Sequence, residues 1–188
     1  TRVVSRSSTN TQAYVKFASD FAQMCMDKTS ADNLAAYLES ADSATTNFAS
    51  VSIKSPLSVI SWGNLNPQIT KKGIPVIKEI NETTASISLE YEICAANENG
   101  GAEDYNVTDV YRWRYSEDRS RLLDFERAAG QVFDPKQSVI TDDGLLLGVR
   151  NKNVTYLTNT EGSVTAFVQE GALWTYTQNN GKFAQVFD

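Results

Sequence analysis

The segment TASISLEYEICA, residues 84–95, decides the fold class of this chain of 188 residues. Its side chains alternate strictly between a polar face and an apolar face, and the apolar face carries Ala85, Ile87, Leu89, Tyr91, Ile93 and Ala95. Because successive side chains of a strand point to opposite faces, this pattern predicts a strand of an antiparallel sheet with one side in water. A second strand follows, and its apolar face carries Tyr105, Val107, Tyr111, Trp113 and Tyr115.

A layer of helices is predicted upstream of these strands. An apolar stripe at helical spacing comprises Tyr14, Phe17, Ala18, Phe21, Met24 and Cys25. Side chains three, four and seven positions apart share one face of an α-helix, so the stripe predicts a helix with one buried face. A second helix is predicted after Ser30, with Leu34, Tyr37, Leu38 and Ala41 buried. The predicted fold class is therefore α+β, with N-terminal helices packed on a curved antiparallel sheet.

Two local predictions concern the strands around this core. The apolar run Leu57–Trp62 predicts a short strand. After the strand at 105–115, a hairpin turns at Glu117-Asp118. A three-residue turn sets Tyr111 opposite Phe125, whereas a two-residue turn sets Arg114 opposite Arg121. Facing aromatic rings stabilise a sheet and facing like charges destabilise it, so the three-residue turn is favoured.

The hydrophobic pattern of the sequence changes near residues 128–136, which contain Ala-Ala-Gly and Asp-Pro. Beyond this point short strands alternate with turn signals such as Asn179-Asn180-Gly181, which predicts an all-β antiparallel meander. The predicted organisation is a flexible lead-in at 1–7, an α+β domain at 8–130 and a β-meander at 131–188. The last segment also suits a fragment of a larger β-repeat domain.

The order of elements over residues 8–127 resembles the nuclear-transport-factor-like, or SnoaL-like, cone-shaped α+β domains. The residues that carry the likeness are the stripe from Tyr14 to Cys25, the strand at 85–95 and the aromatic hairpin from Tyr111 to Phe125. A cystatin-like helix-on-sheet fold fits nearly as well. Residues 138–188 resemble one to one and a half blades of a β-propeller. The cone resemblance implies a pocket between the first helix and the sheet, which many enzymes of that family use with a His/Asp pair.

The composition excludes several kinds of site. The chain contains no histidine, so Ser-His-Asp and Cys-His nucleophiles and His-ligated zinc or haem are absent. Its net charge of −6 disfavours nucleic-acid binding. The arginines at 112, 114, 119, 121 and 127 are interleaved with acidic residues, which is typical of a solvated face. Phosphate-loop, dinucleotide and metalloprotease motifs are also missing, so we predict no catalytic, cofactor-binding or metal-binding residues.

The composition also favours a location outside the cytoplasm. Ser, Thr and Asn make up 49 of the 188 residues and Lys only 9, which favours a secreted or cell-surface bacterial protein. The opening residues, which begin at Thr1, suit a segment that follows a removed membrane anchor. The two cysteines, Cys25 and Cys94, fit either one disulfide or two free thiols, and the alternation of the strand puts Cys94 on its polar face.

Three functional hypotheses follow. The leading one is a non-catalytic exported or cell-surface module that binds or scaffolds an unidentified protein or glycan partner. The second is a small-molecule-binding or catalytic cone domain whose pocket lies between the first helix and the sheet and contains Tyr14, Tyr91, Asp109, Tyr111 and Trp113. The third is a carbohydrate-binding β-module that uses Trp174 and Tyr176 as a sugar platform.

Overall fold

Long antiparallel strands make up most of the protein. A computed structural model describes residues 9–38, 46–97, 100–116, 120–136, 139–149 and 154–187. The helices are α1 (Thr11–Met26), α2 (Ala31–Ala35) and α3 (Leu57–Ile60). The strands are β1 (Ser50–Ser52), β2 (Gln68–Lys71), β3 (Val76–Ile80), β4 (Thr84–Ala96), β5 (Ala102–Arg114), β6 (Arg121–Gln131), β7 (Ile140–Thr141), β8 (Gly144–Leu145), β9 (Tyr156–Thr158), β10 (Val164–Gln169), β11 (Ala172–Thr177) and β12 (Lys182–Phe187).

The predicted α+β class is confirmed. The chain divides into two compact units, Thr1–Ala129 and Gly130–Asp188. The sequence-based division, at 130/131, differs from this boundary by one residue. The predicted flexible lead-in at 1–7 and the predicted hairpin turn at Glu117-Asp118 lie outside the described residues.

In the first unit, the strand order is β1-β6-β5-β4-β2, and β3 also pairs with β4. The strand expected from TASISLEYEICA is β4, and all of its residues pair with β5, from Thr84 opposite Arg114 to Ala96 opposite Ala102. Helix α1 covers the apolar face of this sheet. Phe17 and Phe21 of α1 pack against Tyr111, with ring centroids 5.8 Å and 5.5 Å apart. The stripe of α1 is buried as its spacing predicts, except that Met24 is only partly buried.

The prediction for Leu57–Trp62 is wrong, because these residues form α3 and the turn that follows it. A short apolar run has the same hydrophobic pattern in a buried strand and in one turn of buried helix. Pro56 precedes the helix, where its missing N–H costs no helical hydrogen bond, and Val59 and Ile60 are buried.

The second unit is an antiparallel meander with the strand order β12-β11-β10-β9, beside a two-stranded hairpin of β7 and β8. These antiparallel sheets confirm the all-β character predicted for this segment. A separate apolar cluster holds this unit together, and it is built on Phe133, Val139 and Phe167. Among the described residues of both units, no helix is long and apolar enough to cross a membrane.

Strands β2 and β3 share one edge of β4. β2 pairs with the region of Cys94, and β3 pairs with the region of Ser88. Between them the chain at 72–75 crosses the edge at Glu90. Gly73 lies so close to that edge that a Cβ atom built on it would be 1.6 Å from the Glu90 carbonyl oxygen. Glycine at 73 therefore permits the chain to run directly from one strand to the other.

We expect Gly73→Ala to lower the free energy of unfolding by about 1–3 kcal/mol, because the added methyl group must displace backbone rather than a side chain. Urea denaturation of the purified protein would measure the loss. Gly101→Ala is the matched control, since its Cβ would meet only the Asn97 side chain, at 3.0 Å. Equal losses in the two variants would contradict the argument.

Candidate functional site

The first unit encloses a buried ion pair between adjacent strands. Arg127 of β6 donates from Nε to Asp109 Oδ1 of β5 at 2.8 Å, and from Nη2 to Asp109 Oδ2 at 3.2 Å. Both side chains have 0% exposure. Two parallel N–H···O bonds give the strongest and most directional form of an arginine–carboxylate pair.

The remaining polar atoms of this pair also have partners. Tyr91 and Tyr111 donate their hydroxyls to Asp109 Oδ2, at 3.0 Å and 2.8 Å. Arg127 Nη1 donates to the Ile60 carbonyl oxygen, at 2.7 Å. We call Tyr91, Asp109, Tyr111 and Arg127 the buried network. Its members come from β4, β5 and β6, and its bond to Ile60 ties the end of α3 to the sheet.

Aromatic rings enclose the guanidinium group. The Arg127 Cζ atom lies 4.5 Å from the ring centroid of Trp62 and 5.2 Å from that of Phe125. Trp62 adopts a left-handed backbone conformation with φ of 63°. A bulky residue is strained in that region, by about 1–3 kcal/mol. This backbone conformation positions the Trp62 ring against the Arg127 guanidinium, where a desolvated cation–π contact stabilises the buried charge.

The buried environment shifts the pKa values of three residues of the network. Burial raises the pKa of Tyr91 and of Tyr111 well above the usual value, and the Asp109 charge adds to the rise. Burial lowers the pKa of Arg127, but the charge and hydrogen bonds of Asp109, together with Tyr91 and Cys25, raise it well above its usual value. The two tyrosines therefore stay protonated and the arginine stays charged at neutral pH.

Three of the surface concavities in the described part of the chain carry accessible polar groups. The helix cleft, about 260 Å³, lies between α1 and β4 and is lined by residues that include Ser19, Gln23, Ile69, Leu89 and Tyr91. The lysine groove, about 580 Å³, lies across the β2–β3 connection and is lined by residues that include Lys71, Lys72, Ile74, Lys78, Glu90 and Glu92. The meander cleft, about 680 Å³, lies within the second unit and is lined by residues that include Asp142, Asp143, Tyr156, Thr165, Phe167 and Tyr176.

The five residues predicted to line a pocket are core residues. Tyr14, Tyr91, Asp109, Tyr111 and Trp113 are all 5% exposed or less. The structure brings Tyr91, Asp109 and Tyr111 together in the buried network. Tyr14 instead packs edge-on against Tyr115, and Trp113 stacks on Phe17. Of the five, Tyr91 lines the helix cleft and also the lysine groove.

The two residues predicted to form a sugar platform differ in their surroundings. Both pack against the apolar cluster of the second unit, and Trp174 lies edge-on to Phe133, with ring centroids 5.1 Å apart. Tyr176 lines the meander cleft, whereas Trp174 does not.

Sequence reasoning did not find Arg127, which it grouped with the solvated arginines. Alternation along β6 carries the missing signal, because Arg127 lies two residues from Phe125 and so shares its buried face. Among the described residues, no group of three or more Cys, Asp or Glu side chains could hold a metal ion. Comparisons with protein-family models, curated proteins and solved structures found no match.

We expect Arg127→Met to lower the free energy of unfolding by about 3–5 kcal/mol, because it leaves the Asp109 carboxylate buried without its counterion. Asp109→Leu should cost a similar amount, and the double variant should cost clearly less than the sum. Urea denaturation of the four proteins gives this cycle. Glu92→Gln is the control, since it breaks the exposed Lys71–Glu92 pair and should cost at most about 1 kcal/mol. Additive losses at Asp109 and Arg127 would show that the pair is not coupled.

The cysteines are free, with Cys25 buried and Cys94 half-buried. Burial raises the pKa of the Cys25 thiol from 9.0 to about 11. Between these values the unfolded chain loses a proton that the folded protein keeps, so the free energy of unfolding falls as the pH rises from 9 to 11.

We expect the raised pKa of the Cys25 thiol to lower the free energy of unfolding by about 2 kcal/mol at pH 11, since each unit of pKa corresponds to about 1.36 kcal/mol. Tyr91 and Tyr111, whose pKa values are also raised, should add to it. Urea denaturation at pH 8 and at pH 11 would show a smaller loss for Cys25→Ala than for the unmodified protein. The loss for Cys94→Ser should fall between the two, because the pKa of the Cys94 thiol is also raised. An identical pH dependence in all three proteins would refute the assignment to Cys25.

Proposed function

We propose that this protein is a non-catalytic binding module that is exported or displayed on the surface of a bacterium. The observation that carries the proposal is that every polar side-chain atom of the buried network has a hydrogen-bond partner within the protein. Both Asp109 oxygens accept hydrogen bonds, and Arg127 donates from Nε and both terminal nitrogens. A buried group whose partners are all protein atoms stabilises the fold and leaves no site at which a substrate could be protonated or attacked.

The surface proposed for binding is the meander cleft. Its volume of about 680 Å³ lies in the range of small-molecule sites. It combines a buried aromatic floor, Phe167, with exposed hydroxyl and carboxylate groups, which is the usual composition of a binding cleft.

Export is proposed from composition alone. The abundance of Ser, Thr and Asn and the scarcity of Lys support it. The cysteines lend it no support, because both are free and exported proteins commonly pair theirs. The likeness of the first unit to cone-shaped domains and of the second to a propeller blade is likewise a proposal, which rests on the order of helices and strands.

A second candidate function is favoured by the helix cleft. It lies between α1 and the sheet, where the cone resemblance implies a pocket, and it contains Tyr91. Its volume of about 260 Å³ suits a molecule smaller than most cofactors. Tyr91 is 5% exposed and its hydroxyl is bonded to Asp109, so a ligand here would contact the ring and the residues of α1 more than the network.

A fragment screen that follows the amide resonances of the ¹⁵N-labelled protein tests the proposed function. We expect the responding amides to cluster at residues that line the meander cleft. Thr165→Trp should fill the cleft and abolish these responses. Thr175→Trp is the matched control, because Thr175 lies opposite Ala166 on the other face of the same sheet.

If fragments bind Thr165→Trp normally and shift the amide resonances of Ser19, Gln23 and Tyr91, the helix cleft and not the meander cleft is the binding site. No response at either cleft would overturn the binding proposal.

A further inference from the structure

We propose that the meander cleft binds a neutral oligosaccharide, with Tyr156 and Tyr176 as its stacking surfaces; this inference rests on the proposed binding function and names the ligand class. The predicted platform of Trp174 and Tyr176 is thereby replaced. Trp174 is engaged with Phe133, whereas Tyr156 is 66% exposed. An aromatic side chain exposed to that degree on a cleft wall is available to a ligand.

The sheet register puts both tyrosines on one face. Tyr156 of β9 lies opposite Phe167 of β10, and Thr165 of β10 lies opposite Tyr176 of β11. Because Phe167 and Thr165 are two residues apart, their partners share the face on which they lie. Two strand spacings of about 4.8 Å separate β9 from β11, so the tyrosines are about 10 Å apart across the strands. That span exceeds one sugar ring and suits a chain of several.

The ring of Tyr176 is held in place from behind. Phe183 of β12 lies opposite it, with ring centroids 4.9 Å apart and ring planes inclined by 35°. One face of Tyr176 is therefore occupied by protein, and the residue also lines the cleft. A ring fixed in this way loses little entropy when a ligand stacks on it, and the apolar C–H face of a pyranose is a suitable partner for an aromatic face.

The polar groups of the cleft fit hydroxyl-rich, uncharged ligands. The β7–β8 hairpin contributes the exposed carboxylates of Asp142 and Asp143, and the sheet contributes Thr158, Thr165 and Gln178. Carboxylates accept strong hydrogen bonds from neighbouring hydroxyls. Among the described residues that line the cleft there is no Lys or Arg. The two carboxylates disfavour phosphorylated or uronic-acid ligands, and with them nucleic acids.

Calorimetric titration of the full chain with the neutral hexasaccharides of glucose, N-acetylglucosamine and xylose tests the inference. We expect at least one of these to bind, and a hexamer of galacturonic acid not to bind. Tyr156→Ala and Tyr176→Ala should each weaken binding at least tenfold, and Tyr156→Phe should stay within about threefold because the ring face is kept. Leu157→Ala is the control, since Leu157 is 75% exposed on the opposite face of β9 and should leave affinity unchanged.

The outcomes separate the two proposals. If fragments bind the cleft and are lost in Thr165→Trp while no neutral hexasaccharide binds, the ligand class is wrong and the binding function stands. If a hexasaccharide binds and Tyr156→Ala, which changes an exposed side chain, leaves its affinity unchanged, the proposed site is wrong. If neither fragments nor sugars bind, both proposals fall.

Discussion

The ion pair of Asp109 and Arg127 is the interaction on which the first unit depends. Removing two charges from water costs several kcal/mol for each ion, and a pair offsets this only when its remaining hydrogen-bonding atoms are also satisfied. Here the two tyrosine hydroxyls and the Ile60 carbonyl complete the set. The bonds join β4, β5, β6 and the end of α3. A shift of any one of these elements would leave a charge or a hydroxyl buried without its partner, so the network specifies the arrangement as well as stabilising it.

The same requirement explains two local features of the fold. The left-handed backbone at Trp62 is unfavourable in isolation, yet it sets the Trp62 ring 4.5 Å from the Arg127 guanidinium. Cys25 is fully buried in the same apolar cluster, where its thiol serves as a small apolar group, consistent with the high pKa that burial imposes.

Much of the fold could be predicted from the sequence, because alternation and helical spacing report burial directly. The register predicted from the three-residue turn, which sets Tyr111 opposite Phe125, also sets Asp109 opposite Arg127, so the same reasoning can predict the ion pair. It was missed because Arg127 was counted with its charged neighbours rather than by the face it occupies. The bonds to Ile60 and Trp62 could not be predicted, since they join segments more than 60 residues apart and depend on α3, which the hydrophobic run at 57–62 does not distinguish from a strand. The meander cleft could not be predicted either, because one of its walls is the hairpin of β7 and β8, whose strands have only two residues each.

The two units differ in how fully they bury their polar and aromatic residues. In the first, the charged and hydroxyl groups of the network have protein partners and near-zero exposure, and the aromatic rings pack on one another. In the second, the apolar cluster is small, and Tyr156 and the carboxylates of Asp142 and Asp143 remain in solvent beside a buried aromatic floor. Exposing a large aromatic side chain gains nothing for folding, because its apolar surface stays hydrated. An exposed ring beside hydrogen-bond acceptors is best suited to ligand recognition, and for this reason we propose the meander, and not the more extensively packed α+β unit, as the binding surface.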